Sequence, residues 1–249
     1  MKFKNIKQYA EYLNKWLYNY VKSAHKSGVV LGISGGIDSA LCLALCYGKY
    51  KVKVKPYFIN FNNSALDVKC VKALAKQYKI NIPSINISCT HNAIIKACKI
   101  NNNLAKANIK PRLRMTTLYA LAQQQNMLVL GTSNAPECYL GYFTKYGDAA
   151  CDIALISRLL KKDIYEMAKL LHLPDIIIKR APSASLYSGQ TDEKELGISY
   201  KEIDAYLQNP KTKLSAKSLK RIKQLHSLAK HKTFKMVQPE PYKKLILKD

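Results

Sequence analysis

The chain has no Cys-x-x-Cys pair, no run approaching the ~20 apolar residues of a membrane span, and few acidic residues: 16 against 41 basic ones among 249. Each shortage excludes something. The seven cysteines are odd in number, and although Cys42 and Cys46 share a helical face, no second ligand pair follows. A zinc ribbon, a dithiol redox centre and a disulfide framework are therefore not expected, and reduced thiols fit a cytoplasmic setting. The opening Met1-Lys2-Phe3-Lys4 lacks the apolar core of a secretory signal. Neither an internal repeat nor a low-complexity tract is present.

The formal charge of +25 attracts polyanions, nucleic acid and polyphosphate nucleotides alike. The lysines are spread along the chain and not clustered, so the excess reads as compositional bias, and nucleic acid is not expected as a partner. Arginine is scarce: Arg112, Arg114, Arg158, Arg180 and Arg221 are all there is. Its planar fork binds phosphate or carboxylate in a way that lysine does not replace, so these five positions carry more information than the lysines.

The apolar pattern is that of alternating strands and helices. Helical spacing covers Ile6 to Ser23; Val29 to Ile33 reads as a buried strand; Ile37 to Tyr47 as a helix. Val52–Ile59, Pro83–Ile87 and Met127–Leu130 follow as strands, with helices over Ser64–Tyr78, His91–Lys99 and Pro111–Gln125, the last starting on a proline suited to a first turn. Residues 131–152 and 180–199 read as long loops, and helices are expected within 153–171 and over 200–207 and 216–228. The expected fold is one α/β domain over residues 1–249, a three-layer parallel sheet with helices on both faces.

Leu31-Gly32-Ile33-Ser34-Gly35-Gly36-Ile37-Asp38-Ser39 follows a strand and opens a helix. Backbone amides, a helix N-terminus and hydroxyls converge there, and glycine permits close approach, which makes a phosphate cradle. A carboxylate in an anion site, Asp38, makes sense if a divalent cation lies between it and the phosphates. The Gly-Lys-Ser/Thr of a Walker loop is missing.

Ser-Gly-Gly-x-Asp-Ser resembles the pyrophosphate loop of the N-type ATP pyrophosphatases, which have an adenine nucleotide alpha hydrolase-like fold. Further segments are similar to the ammonia-dependent NAD synthetases within that group: Asn108-Ile109-Lys110-Pro111-Arg112-Leu113-Arg114-Met115, Gly131-Thr132 to Glu137, and Gly141-Tyr142-Phe143-Thr144-Lys145-Tyr146-Gly147-Asp148 with Asp152. Pro182-Ser183-Ala184, Gly189 to Gly197 and His231-Lys232 complete the set, and the resemblance spans roughly residues 28–235. The chain departs from the family pattern at Pro111 (usually Ala), over residues 60–67, and at Thr233 after His231-Lys232 (usually Arg).

The resemblance implies two steps. The carboxylate of deamido-NAD attacks the α-phosphate of ATP, releasing pyrophosphate, and ammonia then displaces AMP. It implies ATP contacts from Gly32 to Ser39 and from Thr132, Lys161 and Ser183. It implies Mg²⁺ ligation by Asp38 and Glu137, both expected on exposed loop edges beyond strand ends. Deamido-NAD contacts fall on Arg112, Lys145, Asp152, His231 and Lys232. Lys161 would neutralise charge at the α-phosphate; Asp148 is a candidate proton acceptor, with the general base left open. The phosphate loop starting at Ser34 leaves no room ahead of it for an amidase domain, so free ammonia is the expected nitrogen donor, and relatives suggest a homodimer. A tRNA-modifying pyrophosphatase and a non-catalytic nucleotide-binding module are the competing readings. The absence of Cys-x-x-Cys counts against the first, and the retained Asp38 and Glu137 count against the second.

Overall fold

The computed structural model describes residues 5–61, 64–183 and 191–233. In chain order the elements are α1 (Ile6–Ser23), β1 (Val29–Gly32), α2 (Ile37–Cys46), β2 (Val54–Asn60), α3 (Ala65–Tyr78), β3 (Ser84–Asn86), α4 (Ser88–Ala97) and α5 (Asn103–Gln124). They continue with β4 (Leu128–Gly131), α6 (Ala135–Leu140), β5 (Ile153–Ala154), α7 (Lys161–Leu170), α8 (Asp175–Ile178), α9 (Asp192–Leu196), α10 (Tyr200–Gln208) and α11 (Ala216–Thr233).

The strands form one parallel sheet in the order β3-β2-β1-β4-β5. Val29, Val30 and Leu31 of β1 are fully buried, each side chain contributing about 1.5–3 kcal/mol. Strand alternation sends them to opposite faces: Val29 and Leu31 join the large core with α1, α2, α3 and α7, while Val30 joins a small cluster with Ala122 of α5, Met127 and Val129. A third cluster, around Leu140, Leu196, Ile203 and Ile222, ties α6, α9, α10 and α11 together.

After β1 the chain first builds outward through β2 and β3, then returns to place β4 on the other side of β1. That reversal makes the carboxyl ends of β1 and β4 the topological switch point, where open α/β sheets bind ligands.

Three expectations are corrected. Pro111 lies well inside α5, which starts at Asn103 under a cap from Asn102, whose side chain accepts from the Ala105 amide at 2.9 Å. The proline removes one ladder donor, and the helix continues around it on the strength of the turns at either end. The stretch read as a loop over 131–152 contains α6, and that over 180–199 contains α9. Both are short helices in polar sequence, fixed by packing of Leu140 and Leu196 and not by periodicity.

Candidate active site

Between β1 and α2 the chain makes its tight loop. Gly35 takes φ +85, a left-handed conformation that disfavours any side chain. A Cβ there would lie 3.0 Å from the Asp67 carbonyl oxygen and 3.2 Å from the Cys70 Cβ. Gly35→Ala is expected to lower stability by about 1–2 kcal/mol and to raise the KM for ATP by displacing the loop, checked by thermal melts and initial rates. Hydroxyls stiffen the same loop: Ser34 Oγ accepts from the Gly36 amide (3.1 Å), and Ser39 Oγ accepts from the Ser34 amide (3.2 Å) while donating to the Gly36 carbonyl (3.0 Å).

Asp38 stands in the first turn of α2 and Glu137 in the first turn of α6, so neither is on an exposed loop edge as the sequence suggested; their side chains are 20% and 17% exposed. Helix N-termini favour carboxylates, and the pattern Asn134-Ala-Pro-Glu137 is a capping box that aims Glu137 back at the switch point. Fully buried Asn134 does more than cap. Its Nδ2 donates to Asp38 Oδ1 at 3.0 Å and to Glu137 Oε1 at 2.7 Å, clamping the two acids together.

Lys161 supplies the charge. Its side chain is 3% exposed, and its Nζ lies 2.8 Å from Asp38 Oδ2 and 3.8 Å from Glu137 Oε1. The backbone at this lysine is fixed from another helix, because Asp204 of α10 accepts from the amides of Lys161 (3.0 Å) and Lys162 (2.9 Å) and so caps α7. Burial pulls the Lys161 ammonium down, but the attraction of Asp38 and Glu137 outweighs it and holds the group above the ordinary lysine range. Burial, with Asp38 beside it, pushes Glu137 up to about 8, against the pull of Lys161. With both carboxyls ionised, one ammonium leaves a negative charge in excess, which a second cation would offset.

Protein donors alone do not make a cage for that cation: among the described residues no group of three or more His, Cys, Asp and Glu is placed to hold a metal. Two carboxylates with the remaining positions left to water and phosphate oxygens are what Mg²⁺ takes in nucleotide sites. The residues therefore fit Mg²⁺ held by Asp38 and Glu137.

Two cavities meet here. The smaller, about 130 Å³, lies over Ser34, Gly36, Asp38, Ser39 and Glu137; the larger, about 470 Å³, runs from the loop past Phe58, Met115 and Leu118 to Phe143. Thr132, Asp148 and Ser183 line both, and Ile37 lines the smaller, Gly32 and Ile33 the larger. Asp148 accepts from the Thr144 amide at 2.9 Å, and burial raises its carboxyl despite Arg114 and Lys232 nearby.

The other sequence-chosen residues divide. Lys232 lines the larger cavity while its Nζ donates to the carbonyls of Gly141 and Phe143, both at 2.9 Å. Arg112, Lys145 and His231 line neither cavity; Arg112 Nε donates to the Lys145 carbonyl (3.2 Å) and Lys145 Nζ to the His231 carbonyl (2.7 Å), a chain joining α5 to the end of α11. Asp152 sits beside β4, accepting from the Val129 amide (2.7 Å) and the Tyr119 hydroxyl (3.2 Å). Ala184, Gly189 and Gln190 of the later motif lie outside the described residues.

Sequence reasoning passed over Arg114, Asn134, Arg180 and Asp192 as site residues. Arg114 lines the larger cavity, donating from Nε to the Ile59 carbonyl at 3.0 Å with its guanidinium 4.9 Å over the Phe61 ring. Asp192 lines the smaller one and accepts from the hydroxyls of Tyr200 (2.9 Å) and Tyr142 (3.3 Å). Arg114, Asn134 and Asp192 lie within the family-like segments and Arg180 is among the five arginines, while Asn134 adds a structural signal of its own, the capping box with Glu137.

Comparison with known proteins gives the family and the fold. The family profile of NAD synthase matches residues 9–246. The NH(3)-dependent NAD(+) synthetase of Mycoplasma genitalium is 45% identical over 92% of this chain and 93% of that protein. The solved NMN synthetase of Francisella tularensis superposes with a TM-score of 0.90 at 37% identity, covering 96% of this chain and 99% of that one. The NH3-dependent NAD synthetase of Campylobacter jejuni, in complex with nitrate, gives 0.82 at 29% identity over 95% and 100%. With its phosphate loop, its paired acids at the switch point and these relatives over nearly its whole length, the chain belongs to the NAD synthase family.

Proposed function

We propose that this protein makes NAD from deamido-NAD, ATP and ammonia, releasing AMP and pyrophosphate. The observation that carries the proposal is the centre formed by Asp38, Glu137, Asn134 and Lys161 beside the Ser34–Ser39 loop, a site with fixed cationic and anionic charge at the switch point. A carboxylate does not exchange oxygen for ammonia directly, so it is first activated. A carboxylate oxygen attacks the α-phosphorus, the bond to the β-phosphate oxygen breaks, and pyrophosphate leaves. Ammonia then attacks the acyl carbon, loses a proton, and AMP departs with the carboxylate oxygen.

The chain's own contribution is positioning and charge. Loop amides and the hydroxyls of Ser34 and Ser39 receive phosphate oxygens; Lys161 offsets charge on the α-phosphate. Mg²⁺ held by Asp38 and Glu137 would neutralise phosphate oxygens and orient the triphosphate. Asp148, which lines both cavities, would take the proton from ammonia.

A homodimer in the cytoplasm completes the proposal. Twenty-two-residue α5 buries only Pro111 and Ala122, and Leu104 at its start is 64% exposed, a face in want of cover. A second copy against α4 and α5 would supply it and bring substrate contacts to Arg112 and Lys145. The seven cysteines are free, in keeping with a reducing compartment, and no described helix is long and apolar enough to cross a membrane.

The likeness to the NMN synthetase gives a second reading, in which nicotinate mononucleotide is the preferred acceptor. Steady-state rates with ATP and Mg²⁺ test both, supplying deamido-NAD or nicotinate mononucleotide with ammonium or glutamine. NAD, AMP and pyrophosphate in equal amounts, with ammonium far better than glutamine, are expected. A higher kcat/KM for the mononucleotide would transfer the assignment, and AMP without either amide product would refute both.

A further inference from the structure

The smaller cavity has a charge problem. Among the described residues lining it, four are acids (Asp38, Glu137, Asp148 and Asp192) and one is a cation, Arg180. Lys161 is behind the acids, already paired with Asp38 at 2.8 Å. Pyrophosphate leaving through this space needs a positive partner at the open side of the loop, away from Lys161.

Arg180 is built for that place. It follows α8, and its guanidinium reaches the phosphate loop, with Nη1 donating to the Gly35 carbonyl at 3.4 Å. Nη2 lies 2.6 Å from Asp67 Oδ1, and both side chains of the pair are largely buried, at 12% and 3% exposure. Asp67 is itself fixed: its other oxygen, Oδ2, accepts from the Ser64 amide at 3.1 Å, closing the capping box of α3. The guanidinium is thus held in one orientation against the loop, before any ligand arrives. Of five arginines in a chain of 249 residues, this one stands where a lysine's single point charge would not serve both Asp67 and the loop.

We propose that Arg180 binds the pyrophosphate portion of ATP and then the departing pyrophosphate, and that Asp67 is its positioning residue. This rests on the assignment of the Ser34–Ser39 loop to pyrophosphate given above. The guanidinium donates to oxygens of the β- and γ-phosphates, opposite the loop amides, and offsets the charge that accumulates there as the α–β bridge breaks.

Calorimetric titration with magnesium pyrophosphate tests it without turnover. Arg180→Gln is expected to weaken pyrophosphate binding by about 10- to 100-fold, the loss of a hydrogen bond to a charged group, and to raise both the KM for ATP and the product-inhibition constant of pyrophosphate. Deamido-NAD binding in the absence of nucleotide stays within about twofold of wild type. Arg180→Lys recovers part of the loss, and Asp67→Asn weakens pyrophosphate by several-fold with little change for deamido-NAD. Because Arg180→Gln leaves Asp67 buried without its cation, the double variant Asp67→Asn/Arg180→Met removes both charges and serves if the single variant fails to fold. Pyrophosphate binding within twofold of wild type in either folded variant overturns the proposal. Should wild type bind pyrophosphate through Arg180 yet make no amide product, the proposed reaction fails and the assignment of Arg180 stands.

Discussion

Lys161→Met is expected to lower kcat by about 10²- to 10³-fold, the effect of removing one fixed charge from a site where transition-state charge develops. The same change should destabilise the metal-free protein. Without the ammonium, Asp38 and Glu137 face each other across Asn134, whose single amide group donates to both. Breaking a buried pair by removing one partner costs about 3–5 kcal/mol; with both acids still partly exposed, about 3 kcal/mol is expected here. Mg²⁺ should recover part of the lost stability, since it restores positive charge between the same oxygens. Melting curves with and without Mg²⁺, beside kcat, check this. An unchanged melting temperature in metal-free Lys161→Met would mean that the lysine does not hold the acids together.

Asp38→Asn and Glu137→Gln should separate activity from stability. Both are expected to lose about 10²- to 10³-fold in rate and to need much more Mg²⁺. Their folded states should respond differently. Burial and Asp38 push Glu137 up to about 8, so this carboxylate is the less favoured charge of the metal-free pair, and glutamine, which removes it, keeps the shape and one acceptor for the capping box while turning its NH2 toward the second Asn134 donor. The relief of charge and the lost acceptor oppose each other, so the melting temperature of metal-free Glu137→Gln should change little. Asp38→Asn instead removes the closer partner of Lys161, at 2.8 Å, and should melt lower. Full activity in either variant would remove that residue from the metal site.

Much of this site was legible because it is local. The loop from Ser34 to Ser39 announces itself by composition between a strand and a helix, and β1 and β4 are short buried runs ending in Gly32 and Gly131. Asp38 and Glu137 follow from the same segments. What the sequence withheld depends on contacts between distant elements. Arg180 and Asp67 are 113 positions apart by number and meet only because α8 packs against α3. Asp204 caps α7 from α10, and nothing near Lys161 in the chain signals it. Pro111 misled for the opposite reason. A local rule places proline in a first turn, but Asn102 caps the helix nine residues earlier. Arg112 and Arg114 show the limit of motif matching: two residues apart on one helix, they face different surroundings, Arg112 toward Lys145 and Arg114 toward the larger cavity.

The step that distinguishes this chemistry is transfer of the substrate carboxylate oxygen to AMP. Deamido-NAD labelled with ¹⁸O in its nicotinate carboxylate, turned over with ATP, Mg²⁺ and ammonium, follows that atom directly by mass spectrometry of the products. The expected result is AMP carrying one ¹⁸O and unlabelled pyrophosphate. Label in inorganic phosphate, with ADP as the nucleotide product, would contradict attack at the α-phosphorus and with it the roles given to Asp38, Glu137 and Lys161.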